Sequence, residues 1–180
     1  WSVATKSLVS TCVGHTDSVR AVAAMPDGQR ILSGGADDTV RVWLLDGTLE
    51  NTFQLHASAV TALVALPDNQ HALSGSYDNA VKLFNVDDGT VLRTFTHHTG
   101  PVLSLALLPD GLRFVSGADD NTARIVEIGS IEVALRKAAA RSELDEAQTE
   151  IDLKAALDRA KDAAVLDEND LKPYREGLKK

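Results

Sequence analysis

Short apolar runs, each closed by a cluster of Gly, Pro, Asp or Asn, follow one another along the chain to about residue 128. The first, VRAVAAM from Val19, is nearly all apolar, the pattern expected of a strand buried on both faces. PDGQ then turns the chain, with Pro26 fixing φ and Gly28 supplying a permissive conformation. RILSG and TVRVW follow, rich in β-branched residues and joined by the tight GADD turn, and GTLENTF forms an outer strand. The same order returns as VTALVAL, PDNQ, HALSG, AVKLF and GTVLRTF, and then as VLSLALL, PDGL, RFVSG and TARIV. Four short strands per unit are predicted, and hence an all-β architecture. From Ser130 the pattern changes to Ala, Glu, Lys, Arg and Leu, which are strong helix formers.

The units repeat in register. His15, His56 and His98 recur with a period of about 41 residues. Pro26, Pro67 and Pro109 keep that spacing, as do Ser33, Ser74 and Ser116, and Asp37, Asp78 and Asp120. Four residue types held in register across three units point to one supersecondary unit built three times, not to a generic β-rich sequence.

With a Gly14-His15 pair and Trp43 in the first unit, residues 1–128 resemble the WD-repeat β-propeller family. Where that family carries Trp-Asp, this chain has Trp43-Leu44, Phe84-Asn85 and Val126-Glu127, so the signature decays while the spacing holds. The resemblance implies one four-stranded blade per unit, over about 14–53, 54–96 and 97–129. It also implies a buried chain of hydrogen bonds in which the turn aspartate accepts from the histidine, the histidine bonds the strand serine, and the serine accepts from the tryptophan indole. That set is Asp37, His15, Ser33 and Trp43. The second unit keeps Asp78, His56 and Ser74 and the third Asp120, His98 and Ser116, but Phe84 and Val126 have no donor. Asp38, the other acid of the first turn, is expected to be a solvated turn residue.

Trp1 precedes His15 by the interval that separates Phe84 from His98, so it reads as the end of a third strand in a preceding blade. Residues 2–13 would then be that blade's outer strand, carrying Cys12 as a small core residue. A propeller closes with at least about four blades. Residues 1–129 are therefore expected to form a partial propeller, three four-stranded blades in an open arc with apolar surface at both ends. A fragment of a longer chain is the first reading, and two chains completing one ring is the second.

Residues 130–180 are expected to form an α-helical C-terminal tail. Leu144, Ala147 and Ile151 lie on one helical stripe, and Leu153, Leu157, Ala160 and Ala164 on another that faces nearly the opposite way. The span from Leu157 is similar to short C-terminal helical hairpins of the SHOCT type, which suggests a hairpin within 144–180, although Pro173 falls inside its second helix. A solvated helix and a docking hairpin are both compatible with this pattern. SIEVALR, covering 131–135, alternates like a strand yet leads into helix-forming KAAAR, and both readings stand.

Composition narrows the function. With 26 acids against 18 bases the chain lacks the footprint of a nucleic-acid binder. No apolar run approaches the roughly 20 residues that span a bilayer. Cys12 is the only cysteine and no Asn-x-Ser/Thr sequon occurs, so an intracellular, cytoplasmic setting is expected. No phosphate loop, zinc-binding histidine pair or nucleophile elbow is present, and neither a metal nor a cofactor is expected. The resemblance implies a non-catalytic scaffold for other proteins, with a propeller enzyme or a substrate-recognition subunit of a ubiquitin ligase as alternatives. In the family, partners dock on residues following the histidine and just before the turn aspartate. The matching positions are Ser18, Arg20 and Ala36, then Ala59, Thr61 and Tyr77, then Pro101, Leu103 and Asp119. Arg20 and Tyr77 are types enriched at binding hot spots. Self-association through open blade edges or the tail is a further expectation.

Overall fold

Turn residues and apolar runs divide the described residues into eleven strands. The computed structural model describes residues 8–129. Sheet 1 comprises β1 (Val19–Ala24), β2 (Arg30–Gly35), β3 (Val40–Leu44) and β4 (Leu49–Phe53), antiparallel and in chain order. Sheet 2 repeats this with β5 (Val60–Ala65), β6 (His71–Ser76), β7 (Val81–Asn85) and β8 (Val91–Phe95). Sheet 3 has β9 (Val102–Leu107), β10 (Arg113–Ala118) and β11 (Ala123–Glu127).

The repeat in sequence is a repeat in register. Val22 lies opposite Ser33, Leu63 opposite Ser74, and Leu105 opposite Ser116. Each innermost strand is bulged near its start, between Val19 and Ala21 in sheet 1 and between Val60 and Ala62 in sheet 2, while sheet 3 shifts register between Gly117 and Ala118. Such a shift strengthens the local twist that lets neighbouring sheets pack. Asp38, Asn79 and Asn121, at φ of 64°, 70° and 62°, occupy the left-handed position of the three tight turns. Asn and Asp tolerate that conformation because their short polar side chains bond locally.

The sheets pack side by side, innermost strand against innermost strand, with β5 between β1 and β9. Met25, Leu32, Val40 and Val42 of sheet 1 meet Val60, Leu63, Ala72, Phe84 and Val86 of sheet 2 in one buried cluster. Glycine permits the closest approach. A Cβ on Gly34 would stand 2.5 Å from Cγ1 of Val60, and one on Gly75 would stand 2.8 Å from Cγ1 of Val102. A valine of each following sheet thus seats on a bare backbone of the one before.

Several expectations change. Of the three innermost strands only β5 is enclosed on both faces; β1 leaves Val19 and Val22 exposed, because among the described residues a second sheet covers just one of its sides. Among the described residues sheet 3 has three strands, not four. Gly129 turns with φ 77°, as Gly89 does at 76° before β8, but residues 131–135 lie outside the described residues. Within the proposed 2–13 strand, residues 8–13 form no ladder. Strand geometry needs a hydrogen-bonded neighbour, and this segment is held instead by Ser10 Oγ donating to the Leu45 carbonyl at 2.6 Å. Cys12 is half-buried and free, so it is not a core residue. The chain divides between Ile128 and Gly129 into two units, and the expected helical tail with its hairpin at 144–180 lies outside the described residues.

The packing of sheet on glycine has a measurable consequence. Gly34→Val is expected to lower unfolding stability by about 1–3 kcal/mol through overpacking against Val60. Gly117→Val, where among the described residues only the movable Ser104 hydroxyl stands within 4 Å, should cost much less. Urea unfolding of the two variants gives the comparison, and equal losses would contradict the packing described.

Candidate functional site

Each sheet encloses a string of polar side chains. In sheet 1, His15 arrives from the loop before β1, Ser33 from the middle of β2, Asp37 from the tight turn and Trp43 from β3. The Trp43 indole donates to Ser33 Oγ at 2.7 Å, and Ser33 Oγ lies 2.7 Å from His15 Nε2. His15 Nδ1 reaches both Asp37 oxygens, at 3.0 and 2.9 Å. This order is satisfied by a neutral ring protonated on Nδ1, donating to the carboxylate and accepting from the serine hydroxyl. Sheet 2 places His56 2.8 Å from Asp78 and 2.8 Å from Ser74; sheet 3 places His98 2.8 Å from Asp120 and 2.7 Å from Ser116. Phe84 occupies the indole position fully buried and Val126 half-buried, so both sets stop at the serine.

Further residues join the sets without having been singled out in the sequence. Thr39 Oγ1 donates to Asp37 at 2.8 Å and Thr122 Oγ1 to Asp120 at 2.6 Å, and the Thr16, Ala57 and Thr99 amides cap the three carboxylates. Thr39 and Thr122 had a visible signal, since both stand two residues after the turn aspartate; in the second unit that place is Ala80. Arg41 and Arg124 add ion pairs at 3.8 and 3.9 Å. Asp38 is half-buried rather than solvated, and its part in the turn is conformational.

The electrostatics follow from this geometry. Burial pushes the Asp37 carboxyl up, but donors from Thr16, Thr39 and His15 outweigh it and hold the group well below the usual carboxylate range. Asp120 is lowered by the Thr122 hydroxyl above all, against a smaller opposing effect of burial, with His98 and the Thr99 amide adding to it. Asp78 is also lowered, burial again being overcome by bonds led by His56. Burial lowers His56 itself, more than Asp78 raises it, so its ring is neutral near pH 7. Such a string can anchor a turn to a strand. It offers no free nucleophile, because every heteroatom is engaged.

The second candidate region is the rim where the tight turns meet the innermost strands. One backbone bond fixes it in each sheet: Ala36 N–H to Ser18 at 2.8 Å, Tyr77 to Ala59 at 3.0 Å, and Asp119 to Pro101 at 2.8 Å. Ser18, Arg20, Tyr77, Leu103 and Asp119 are exposed there, and Ala36 and Pro101 are half-buried. Ala59 is buried, and the Thr61 hydroxyl is spent on the Gly75 and Val102 carbonyls, tying sheet 2 to sheet 3. Arg20 and Tyr77, from different sheets, come together: the guanidinium lies 5.3 Å above the ring centroid and donates to the phenol oxygen at 3.3 Å. Among the described residues no three His, Cys, Asp or Glu side chains are grouped to hold a metal ion, and no helix is long and apolar enough to cross a membrane.

Two expectations can be checked on the folded chain. Asp37→Ala should cost about 1–3 kcal/mol, because it strands buried donors on His15 and Thr39; a loss below that range would mean the set is solvated. Acid should act in two steps. A ring lowered from 6.5, as His56 is, refuses a proton that the unfolded chain accepts, so stability begins to fall below about pH 6.5. The lowered aspartates contribute stability that is present above about pH 4 and lost as the pH falls toward their folded values. Thermal melts between pH 8 and 3 would show this, and a melting temperature flat down to pH 5 would contradict it.

Comparison with known proteins agrees with this architecture. The family model described as "WD domain, G-beta repeat" (WD40) matches residues 6–43, 47–85 and 89–127. WD repeat-containing protein srw1 of Schizosaccharomyces pombe is 44% identical over 45 residues, 25% of this chain and 8% of that protein. Protein FIZZY-RELATED 2 of Arabidopsis thaliana is 44% identical over 43 residues, 24% of this chain and 9% of its own. Protein groucho of Drosophila melanogaster is 42% identical over 43 residues, 24% of this chain and 6% of its own. The matches thus span less than a tenth of each of these relatives. Each family segment contains one complete His–Ser–Asp string, and on this ground the chain belongs to the WD40 repeat family.

Proposed function

We propose that this chain is a non-catalytic scaffold that docks other proteins on the rim of its sheets. The observation that carries the reading is the Arg20–Tyr77 pair. Two side chains of hot-spot type, from neighbouring sheets, stack on one another and remain exposed above a backbone fixed by hydrogen bonds. Mutual support lowers the entropy lost when a partner immobilises them. Arg20 also has donors left beyond the one given to Tyr77, which suits a partner carbonyl or carboxylate. Leu103 and Asp119 extend the same rim on sheet 3, giving an apolar and an acidic contact beyond the basic and aromatic one.

The family supports a scaffold in this coarse sense, while the partner has to be read from the rim itself, because the likeness to the relatives covers so little of their length. Affinity capture with the native chain, followed by titration of the recovered partner, tests the reading. Arg20→Ala and Tyr77→Ala are each expected to weaken binding by more than about 1 kcal/mol and to leave the melting temperature nearly unchanged. A partner held with native affinity by both variants would remove the rim from consideration.

A further inference from the structure

The residue just before each string histidine changes in step with the residue at the indole position. Gly14 goes with Trp43, Leu55 with Phe84, and His97 with Val126. As the side chain on the third strand shrinks, its companion in the loop grows. In sheet 1 the reason is contact: a Cβ on Gly14 would stand 3.0 Å from Cη2 of Trp43, so the indole leaves no room for a side chain there. In sheet 2, Leu55 packs against the buried cluster that contains Phe84. In sheet 3, Val126 lies opposite Phe114 in the ladder, and the His97 ring closes on Phe114 and Phe95 at 6.4 and 6.2 Å between centroids.

The His97 ring also repeats the placement of the indole against its string. Trp43 lies 6.3 Å from His15 with the ring planes at 52°, and His97 lies 5.2 Å from His98, again at 52°. The bond is not repeated. Trp43 donates to Ser33, whereas His97 Nε2 is buried with no hydrogen-bond partner among the described residues. A neutral imidazole can leave that nitrogen bare. A protonated one carries N–H on both ring nitrogens, and a buried donor without an acceptor is costly.

The charges nearby do not welcome a proton either. His98 stands beside the ring, Arg124 of β11 acts on it, and Arg93 of β8 stacks on Phe95 at 5.8 Å. Asp120 is the opposing acid, but its carboxylate is already engaged by His98, Thr99 and Thr122. Strand alternation sends Arg113 and Glu127 to the other face from Phe114, Asp119 is exposed on the rim, and β9 carries no charge. Burial above all, then His98 and Arg124, hold the His97 ring below the ordinary histidine value, against a smaller pull from Asp120.

We propose that His97 takes the place of the missing indole in the third repeat, and that a proton on its ring opens sheet 3. The first repeat fills this place with a ring that cannot titrate; the third fills it with one that can. A ring held low refuses a proton that the unfolded strands accept. The stability it supports is therefore present above about pH 6.5 and lost as the pH falls below that value. His97 is separate from the Arg20–Tyr77 rim, so the proposal does not rest on the scaffold reading.

A double-mutant cycle on the full chain tests the placement. Val126→Trp alone is expected to lower the melting temperature by overpacking against His97, and His97→Gly alone by opening a cavity. Together they rebuild the arrangement of the first repeat, so the double variant should lose clearly less than the two single losses combined. Additive losses would overturn the placement. Native-state hydrogen exchange tests the switch. Between about pH 7.5 and 5.5 the protection of β10 and β11 amides, corrected for intrinsic exchange, is expected to fall by up to about tenfold in the native chain. His97→Phe keeps a ring there but takes no proton, and its protection should fall much less. An equal fall in the two proteins would overturn the switch, as would a His97 ring that titrates by NMR at or above the value of an exposed histidine.

Discussion

A buried carboxylate next to a buried imidazole is costly unless the polar atoms of both are engaged. In this chain the requirement is met three times by the same geometry: a histidine from the loop ahead of a sheet reaches across to a turn aspartate and a strand serine. Everything else in the sheet is positioned by that bridge. It fixes the loop on which the chain enters and holds the tight turn between the second and third strands. It also sets the rim, because the turn that carries Asp37 also carries Ala36, and the turn that carries Asp78 also carries Tyr77. The exposed Arg20–Tyr77 pair therefore rests on a polar interior, and its geometry is inherited from residues held largely away from solvent.

Packing between sheets obeys a different constraint, that of space. Gly34 and Gly75 supply close approach where a side chain would separate the layers, and Val60 and Val102 fill the room so created. The hydrogen-bond strings work within a sheet, whereas the glycine contacts work between sheets. Thr61 links the two systems by bonding carbonyls on both sides of the boundary between sheets 2 and 3.

Much of this was legible in the sequence, because both systems repeat. His, Ser and Asp recur at constant intervals, and the resemblance to WD repeats joined them into polar strings, while the apolar runs located the strands to within a residue or two; the close approach at Gly34 and Gly75 was not read from the sequence. What was not legible depended on neighbours in space. VRAVAAM and VTALVAL are nearly indistinguishable as strings of letters, yet β1 is exposed along one face and β5 is enclosed, since only β5 lies between two sheets. Residues 8–13 were expected to form part of an outer strand but have no ladder partner among the described residues, and a strand is defined by its partner as much as by its own residues. The stacking of Arg20 on Tyr77 joins positions far apart in the chain, and no local pattern announces it.

The loss of the indole donor from Trp43 to Phe84 to Val126 gives the three repeats unequal internal bonding, while their external cover is unequal in another way. Among the described residues, sheet 1 has the full string but one open face, sheet 2 lacks the indole bond but is gripped on both sides, and sheet 3 has neither advantage. In a molecule whose units touch only their neighbours, stability is a sum of such local and boundary contributions. Amide protons of β10 and β11 should accordingly exchange through small openings that leave sheet 2 intact, while those of β6 wait for the whole unit to come apart. The described residues thus have a built-in order of opening, in which the third repeat yields before the second.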